Sequence, residues 1–200
     1  MSSWTSNRSG EPTDEVLMER FRAGDAQALG VLYDRYARRI KAFAWQRGAR
    51  RPDDVVQDVF MRVVRKGRDF QGRSSFKTWL YSIARNLCTD AARRDRFRNM
   101  PSLDAPIGGD GVQTMGDRVA NEAPDSDAHR AMVNRRFRDA FEIALAALPE
   151  PQREVFVLRQ SSGLSFSEIA TMVGCNENTA KSRMRYALMA LRDALEEYRR

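Results

Sequence analysis

The sequence has few of the residues that bind metals, form disulfides or cross membranes. Its 200 residues include two cysteines, Cys88 and Cys175, and one histidine, His129. These are too few for a disulfide framework, and they show no recognisable zinc spacing. No stretch approaches the roughly 18 apolar residues of a membrane span, and the N-terminus lacks the apolar segment of a secretory signal. No nucleophile–base pair and no phosphate-binding glycine loop is evident. We therefore predict a cytoplasmic protein with no metal site, no cofactor and no catalytic residues.

Positive charge, by contrast, is in excess and unevenly distributed. The chain has 34 lysines and arginines against 27 acidic residues, a formal net charge of +7. Residues 25–100 contain eighteen basic and eight acidic side chains, whereas residues 137–200 contain nine of each. Such an excess favours binding to a polyanion, most commonly nucleic acid. The alternative is an arginine-rich surface that is merely solvated.

Helical periodicity and chain breakers divide the sequence into two domains. Between residues 13 and 97 apolar residues recur at spacings of three and four, and no alternating run indicates a strand. Residues 98–131 are rich in proline, glycine and small polar residues, which predicts a flexible linker. The helical pattern resumes at residue 132. We therefore predict an all-α fold with a disordered extension (1–12), a first domain (13–97), a linker (98–131) and a second domain (132–200).

The predicted third helix, which begins at Pro52, has two different faces. Five residues form an apolar stripe that predicts burial: Val56, Val59, Phe60, Val63 and Val64. Six residues form the opposite face: Asp54, Gln57, Asp58, Met61, Arg62 and Arg65. The mixed charge of this face suits a partner protein better than DNA, and a merely solvated face is the alternative.

Residues 164–192 are the most informative segment. Ser165 and Glu168 are spaced as a capping box. Gly174 provides a turn, and Asn176 is a good N-cap for the next helix. That helix has a predicted buried face: Ala180, Met184, Ala187, Leu188 and Leu191. Its opposite face has polar side chains that could enter a groove together: Asn178, Lys181, Ser182 and Arg185. The segment predicts a DNA-binding helix-turn-helix, with a plain antiparallel helix pair as the alternative.

Residues 70–86 interleave aromatic and basic side chains. Aromatic rings stack on unpaired bases while cations hold phosphates, so this composition suits single-stranded nucleic acid. At helical spacing, however, aromatic residues more often belong to the core. Phe76 and Leu80 share the apolar face of the predicted helix, which favours the core for both, while Trp79 and Tyr81 are open to either interpretation.

Four blocks of the sequence, in their order and separation, resemble a known family. The blocks are DDVVQDVFMRVVRK, FQGRSSFKTWLYSIARNLCTDAARR, LPEPQREVFVLRQSSGLSFSEIA and NTAKSRMRYALMALR. They resemble the extracytoplasmic-function group of bacterial sigma-70-type RNA polymerase sigma factors, over nearly all of the chain except residues 1–13 and the linker. The resemblance implies that the first helical domain binds core polymerase and melts the −10 promoter element. It implies that the second domain reads the −35 element.

The resemblance also implies three sets of functional residues. The clamp-binding set, similar to the segment that docks on the clamp helices of the largest polymerase subunit, is Gln57, Asp58, Met61, Arg62 and Arg65. The −10 set, similar to the element that captures flipped bases, is Arg73, Ser74, Ser75, Phe76, Trp79 and Arg85. The −35 set on the reading helix is Asn178, Lys181, Ser182, Arg183 and Arg185. Ala180 departs from the family, which usually has a larger β-branched residue there.

The implied partners are core RNA polymerase, through its clamp helices and its flap, promoter DNA, and an anti-sigma factor that sequesters both domains until a stress signal arrives. The residues alone leave two rivals open. One is a stand-alone helix-turn-helix regulator whose first domain binds an effector or dimerises. The other is an RNA-binding module built on the aromatic and basic first domain. An enzyme is the least favoured class, because no catalytic constellation is evident.

Overall fold

The structure is a computed structural model that describes residues 11–67, 70–98 and 126–199. Within these ranges the chain forms eight α-helices: α1 (Asp14–Arg22), α2 (Ala26–Gln46), α3 (Pro52–Lys66), α4 (Phe76–Arg98), α5 (Ser126–Ala147), α6 (Glu150–Ser162), α7 (Phe166–Val173) and α8 (Glu177–Ala194). A short 3-10 turn follows at Glu196–Arg199. The described residues contain no strand, which confirms the predicted all-α class. Residues 126–131, at the end of the predicted linker, are helical, and residues 99–125 lie outside the described ranges.

The first three helices begin where local sequence signals place them. Thr13 caps α1 by accepting a hydrogen bond from a first-turn amide. Asp25 caps α2 by accepting from two such amides. Pro52 occupies the first turn of α3, where its missing N–H leaves no hydrogen bond unmade. These helix starts need only residues close in sequence, which is why they are predictable.

An aromatic cluster forms part of the core of the first domain. Phe76, at the start of α4, is fully buried, and its ring centroid lies 5.8 Å from that of Tyr36, 6.2 Å from Phe70 and 6.1 Å from Trp79. Tyr81, one turn further along α4, is also fully buried. The core interpretation of Phe76 is therefore confirmed, and Tyr81 joins it there.

The apolar stripe of α3 is narrower than predicted. Val63 is fully buried, but Val64 is 46% exposed, and Val55 is buried in its place. Successive residues of a helix are about 100° apart, so a stripe centred on Val63 leaves Val64 at its edge. The predicted burial of Val64 is wrong for this reason, and an apolar side chain is left on the outer face of α3.

The helices α7 and α8 form the predicted helix-turn-helix. The capping box consists of two reciprocal hydrogen bonds. The hydroxyl of Ser165 accepts a hydrogen bond from the backbone amide of Glu168. The carboxylate of Glu168 accepts one from the backbone amide of Ser165, at 2.8 Å. Gly174 ends α7 with φ of 73°, a left-handed conformation that favours glycine. Asn176 caps α8 by accepting from the amide of Thr179 at 2.7 Å. Every local signal predicted for this motif is confirmed.

The α8 helix buries small side chains against α6 and α7. Ala180, Ala187 and Leu191 are buried, and the small Ala180 lets α8 approach closely. Met184 is partly buried, whereas Leu188 is 47% exposed. The predicted burial of Leu188 is wrong because it lies about 100° around the helix from the buried Ala187.

The two domains touch through α6. This helix, whose residues Val155–Leu158 are buried, packs on α8 within its own domain and also contacts α2 and α4 of the first domain. The contact brings the second domain against the helix that carries much of the −10 set.

Candidate nucleic-acid and partner interfaces

The −35 set lies along the outer face of α8. Asn178, Lys181, Ser182 and Arg185 are exposed, and Arg183 is partly buried. Lys181 forms an exposed ion pair with Glu177 one turn away, at 2.6 Å. The guanidinium of Arg185 lies 5.1 Å from the ring centroid of Tyr186. These groups belong to one short stretch of a capped helix and are not covered by other elements, the arrangement of a groove-reading helix.

Half of the −10 set lines an exposed groove at the start of α4. The groove has a volume of about 310 Å³ and is lined by Phe70, Gln71, Arg73, Ser74 and Trp79. Arg73 and Ser74 are exposed, and Trp79 is partly buried with its ring 5.2 Å from that of Phe70. A cation beside an aromatic ring at a single opening matches what an unpaired base and its phosphate require.

The other half of the −10 set faces elsewhere. Phe76 is fully buried, so its ring is not available to a base in this arrangement. The hydroxyl of Ser75 is hydrogen-bonded to that of Thr78 at 2.8 Å and accepts from the Thr78 amide, which caps α4. Arg85 points to the second domain, where its Nε donates to Glu154 at 2.8 Å.

The clamp-binding set lies on the outer face of α3. Gln57, Asp58, Met61 and Arg65 are exposed, and Arg62 is partly buried. Met61 is 44% exposed and lies on the same helix as the exposed Val64. Apolar side chains among mixed charges are typical of a protein interface.

A cluster of buried charges joins the two domains. Arg47 caps the end of α2 with its side chain only 5% exposed. Its Nη1 lies 2.5 Å from Oε1 of Glu150, and its Nη2 lies 3.4 Å from Oε1 of Glu154. Both contacts are ion pairs between the two domains. Arg85 donates to the same oxygen of Glu154, so this carboxylate is held by two arginines of the other domain.

Two hydroxyl groups of α4 extend this interface. The hydroxyl of Tyr81 donates to the carbonyl of Ser161 at 2.7 Å. The hydroxyl of Thr78 donates to the carboxylate of Glu168, in the capping box of α7, also at 2.7 Å. Burial raises the pKa of Tyr81, so this group is a neutral donor.

Local contacts keep two carboxylates of the second domain ionised. Burial raises the pKa of Glu150, but the charges of Arg47 and Arg153 outweigh burial and hold the pKa below its ordinary value. Burial also raises the pKa of Glu168, but hydrogen bonds from Thr78 and from the capping box outweigh burial and hold this pKa below its ordinary value. Both groups therefore present negative charge at the domain interface at neutral pH.

Sequence reasoning missed the residues of this interface. Arg47, Thr78, Glu154 and Glu168 have neighbours that are 69 to 107 positions away in the chain, and no periodic pattern reports such distances. One signal was present: Glu154 is a carboxylate directly before the four apolar residues Val155–Leu158. An acidic residue at the edge of a buried run needs a partner of opposite charge.

The two cysteines differ in their surroundings. Cys88 is buried, and its burial raises the pKa of the thiol to about 11, which disfavours the reactive thiolate. Cys175 is partly buried in the turn before α8. No group of three or more histidine, cysteine or acidic residues among the described positions is placed to hold a metal ion. None of the described helices combines the length and apolarity needed to span a membrane.

Comparison with known families assigns both domains. Residues 32–98 match the family model of sigma-70 region 2, and residues 138–191 match that of sigma-70 region 4. The two matches fall on the two helical domains, in the order predicted from the sequence blocks. The chain is therefore a sigma-70-type sigma factor, which recognises promoters for RNA polymerase and promotes transcription initiation.

Full-length relatives narrow the class. The chain is 31% identical over 179 residues to the ECF RNA polymerase sigma-E factor of Escherichia coli K12, covering 88% of this chain and 91% of the relative. It is 31% identical over 185 residues to the RNA polymerase sigma-H factor of Pseudomonas aeruginosa, covering 92% and 94%. The chain belongs to the extracytoplasmic-function group of sigma factors.

A solved structure shares the fold. The sigma factor RpoE of Bartonella quintana, in complex with the anti-sigma factor NepR, superposes with a TM-score of 0.62 at 24% identity, covering 84% of this chain and 96% of that chain. The likeness extends over both helical domains.

Proposed function

We propose that the exposed surfaces divide the work of promoter recognition between the two domains. The clamp-binding set on α3 docks on core polymerase, the groove at the start of α4 takes up an unpaired base of the −10 element, and the outer face of α8 reads the −35 element. The first domain corresponds to residues 13–97 and the second to residues 132–200. The observation that carries the proposal is the groove in which Arg73, Ser74 and Trp79 meet.

Strand capture in this groove needs no chemistry from the protein. A base that leaves the duplex loses its stacking, and the ring of Trp79 offers a replacement surface. Arg73 is exposed beside it and is placed to neutralise the adjacent phosphate. Binding energy therefore favours the melted strand over the duplex. Phosphodiester formation belongs to the polymerase, and we assign no catalytic activity to this chain.

Reading of the −35 element follows from the exposed cations of α8. An arginine that donates two hydrogen bonds to one guanine discriminates bases, whereas a lysine near phosphates sets position without reading sequence. Arg185 has a long exposed side chain at the C-terminal end of the −35 set, and we assign it to base contact. Lys181, which forms an exposed ion pair with Glu177, exchanges that partner for a phosphate.

Two weakly binding domains on one chain gain effective concentration when both promoter elements are suitably spaced.

The relatives and the sigma factor bound to NepR support three further assignments. The chain acts with core RNA polymerase through its clamp helices and flap, it works in the cytoplasm at stress- or signal-responsive genes, and an anti-sigma factor sequesters it.

Reconstitution with core RNA polymerase and a promoter library tests the whole proposal. Transcript starts should map downstream of one shared pair of −35 and −10 sequences, and the free protein should leave the same duplexes unshifted. Failure to bind core polymerase would overturn the assignment of α3. A protein that shifts the duplex without polymerase would instead be a stand-alone regulator.

The assignment of Arg185 is tested by Arg185→Ala. We expect binding at the −35 element to weaken by about 1–3 kcal/mol, with relaxed sequence preference at one position. The matched control is Arg192→Ala on the same helix, about 10 Å further along its axis. Unchanged promoter selection by Arg185→Ala would remove this residue from the reading face.

The assignment of α3 is tested by Gln57→Ala combined with Arg62→Ala. Affinity for core polymerase should fall while the urea midpoint of the free protein stays the same, because both side chains lie outside the apolar core. Arg38→Ala removes an exposed charge from α2 and should not change this affinity. Equal losses from the double variant and from this control would indicate general charge attraction and contradict docking on α3.

A further inference from the structure

The helix α1 contacts both ends of the loop that forms the groove at the start of α4. None of the three functional sets includes a residue of α1, yet Glu15 and Arg22 each make a hydrogen bond to the backbone of residues 70–76. We propose that Glu15 and Arg22 are positioning residues: they hold this loop in the arrangement that takes up an unpaired base, and they act through the loop without touching DNA. The inference rests on the proposed function of the groove.

Glu15 fixes the end of the loop that enters α4. Its Oε1 accepts a hydrogen bond from the backbone amide of Phe76 at 3.1 Å, 61 positions away in the chain. This amide lies in the first turn of α4, where an amide has no acceptor within its own helix. Ser75 caps the Thr78 amide of the same turn, and a carboxylate is favoured at this end of the helix dipole. Trp79 follows within one turn and lines the groove, so a fixed first turn sets the position of its ring.

The other end of the loop is held by the second half of α1. Nη1 of Arg22 donates to the backbone carbonyl of Phe70 at 3.4 Å, and the ring of Phe70 lines the groove. Three residues earlier, at the end of α3, Gly67 packs against α1. A Cβ added at Gly67 would lie 3.2 Å from Cε1 of Phe21 and 3.3 Å from the terminal methyl of Met18. The path of the chain from α3 into the loop therefore follows the surface of α1.

One face of a rigid helix provides both hydrogen bonds. Glu15 and Arg22 are seven residues apart, which places them on the same side of α1 and about 10 Å apart along its axis. Leu17 and Met18 are buried, so α1 is anchored in the core of the first domain. The loop residues 71–74 between the two contacts are all exposed. Contacts at the ends limit the movement of this exposed stretch, and a loop that is already ordered loses less entropy when it binds.

The proposal predicts an effect opposite in sign to simple electrostatics. Without the Glu15 contact, a smaller fraction of chains has a groove arranged for a base, and the apparent Kd rises in inverse proportion to that fraction. Removal of a negative charge near DNA, by contrast, strengthens binding to phosphates. A loss of DNA affinity on removal of Glu15 therefore reports on the arrangement of the loop.

Glu15→Ala in the full chain bound to core polymerase tests the inference. The probe is a labelled single strand of the −10 element mapped by reconstitution, with matched strands that have an abasic site at each position in turn. In the wild type, one abasic site should weaken binding about tenfold, because the stacked base is missing. Glu15→Ala should weaken binding of the intact strand about five- to tenfold. It should change binding of that abasic strand by less than about twofold, because phosphate contacts do not depend on the base.

The ratio of the abasic Kd to the intact Kd separates positioning from stability. Partial unfolding lowers the concentration of active protein for both strands alike and leaves this ratio unchanged. Glu15→Gln keeps an oxygen that can accept the Phe76 hydrogen bond, and it should restore the intact-strand affinity to within about twofold of the wild type. Glu19→Ala removes the same charge from an exposed position of α1 and should leave the ratio unchanged. If Glu15→Ala does not fold, Arg22→Ala should lower the ratio in the same direction.

The outcomes distinguish this inference from the proposed function. A wild type that binds every abasic strand as tightly as the intact strand would overturn base capture in the groove, and this inference with it. A wild type that discriminates, together with a Glu15→Ala variant that discriminates equally well, would overturn the inference alone. Equal weakening of both strands would also overturn it, since Glu15 would then serve stability only. A Glu15→Gln variant that binds as weakly as Glu15→Ala would refute the hydrogen bond to Phe76 as the cause.

Discussion

Replacing Phe76 by alanine tests whether this residue serves the core or the DNA. The side chain is fully buried, and its ring contacts those of Tyr36, Phe70 and Trp79 at centroid distances of 5.8 to 6.2 Å. Truncation of a buried phenylalanine costs about 3–5 kcal/mol. Three aromatic pairs, each contributing about 0.5–1.5 kcal/mol beyond burial, are lost at once. We therefore expect Phe76→Ala to lower the free energy of unfolding by about 4–5 kcal/mol, near the upper end of that range.

A loss of that size could unfold the first domain, so Phe76→Leu provides a milder change. Leucine keeps most of the apolar contact and loses the ring pairs, for an expected cost of about 2 kcal/mol. Urea unfolding followed by tryptophan fluorescence reports on the first part of the chain, because all three tryptophans precede residue 98. A shifted midpoint with an unchanged slope gives the change in the free energy of unfolding.

The DNA measurement on the same variants decides between the two roles. If Phe76 acts only in the core, folded Phe76→Leu should bind a −10 oligonucleotide within about twofold of the wild-type affinity. A variant with an unchanged urea midpoint and a large loss of oligonucleotide affinity would refute the reasoning. That result would mean that Phe76 leaves the core and stacks on a base.

Two further predictions concern pH and the turn of the helix-turn-helix. The pKa values of Glu150 and Glu168 are lowered below 4.5. The stability that the two ionised carboxylates give to the folded protein is therefore fully present above about pH 4.5 and is lost as the pH falls through the lowered pKa values. The melting temperature should therefore drop between pH 5 and 3, and by less in Glu150→Gln; equal drops would contradict the role of Glu150. Gly174→Ala should cost about 1–2 kcal/mol from backbone strain alone, because φ is 73° and the added Cβ would meet no atom within 4 Å. The control is Gly30→Ala inside α2, where an added Cβ would also meet no atom within 4 Å. Urea unfolding followed by circular dichroism should show that this control raises the free energy of unfolding by about 0.5–1 kcal/mol.

The sequence predicts well what depends on near neighbours. The capping box of Ser165 and Glu168, the left-handed Gly174 and the cap at Asn176 each need only residues within three or four positions. The burial of Phe76 also follows from its place in a helical apolar pattern. Local propensity and periodicity act over the same short range, so these features can be read from the chain.

The sequence predicts poorly what depends on how wide a buried face is and on which distant residues meet. Val64 and Leu188 each continue an apolar pattern but lie one residue beyond the centre of the contact. The partners Arg85 and Glu154 are 69 positions apart and belong to different domains. Their pairing depends on how two finished folds fit together. A pattern confined to one helix contains no information about that fit.

The shared carboxylate of Glu154 also constrains how this protein can evolve. Arg47 and Arg85 both contact it, so loss of Glu154 would take this carboxylate from Arg85 and leave the buried Arg47 with Glu150 alone. Substitutions at position 154 should therefore be accompanied by changes at positions 47 or 85 in lineages that keep this contact between the domains. Lineages that lose this contact should be free to vary position 154, while the role proposed for Arg85 at the −10 element would retain an arginine at position 85. The pattern of variation at these three positions would thus show which sigma factors keep this contact between their two domains.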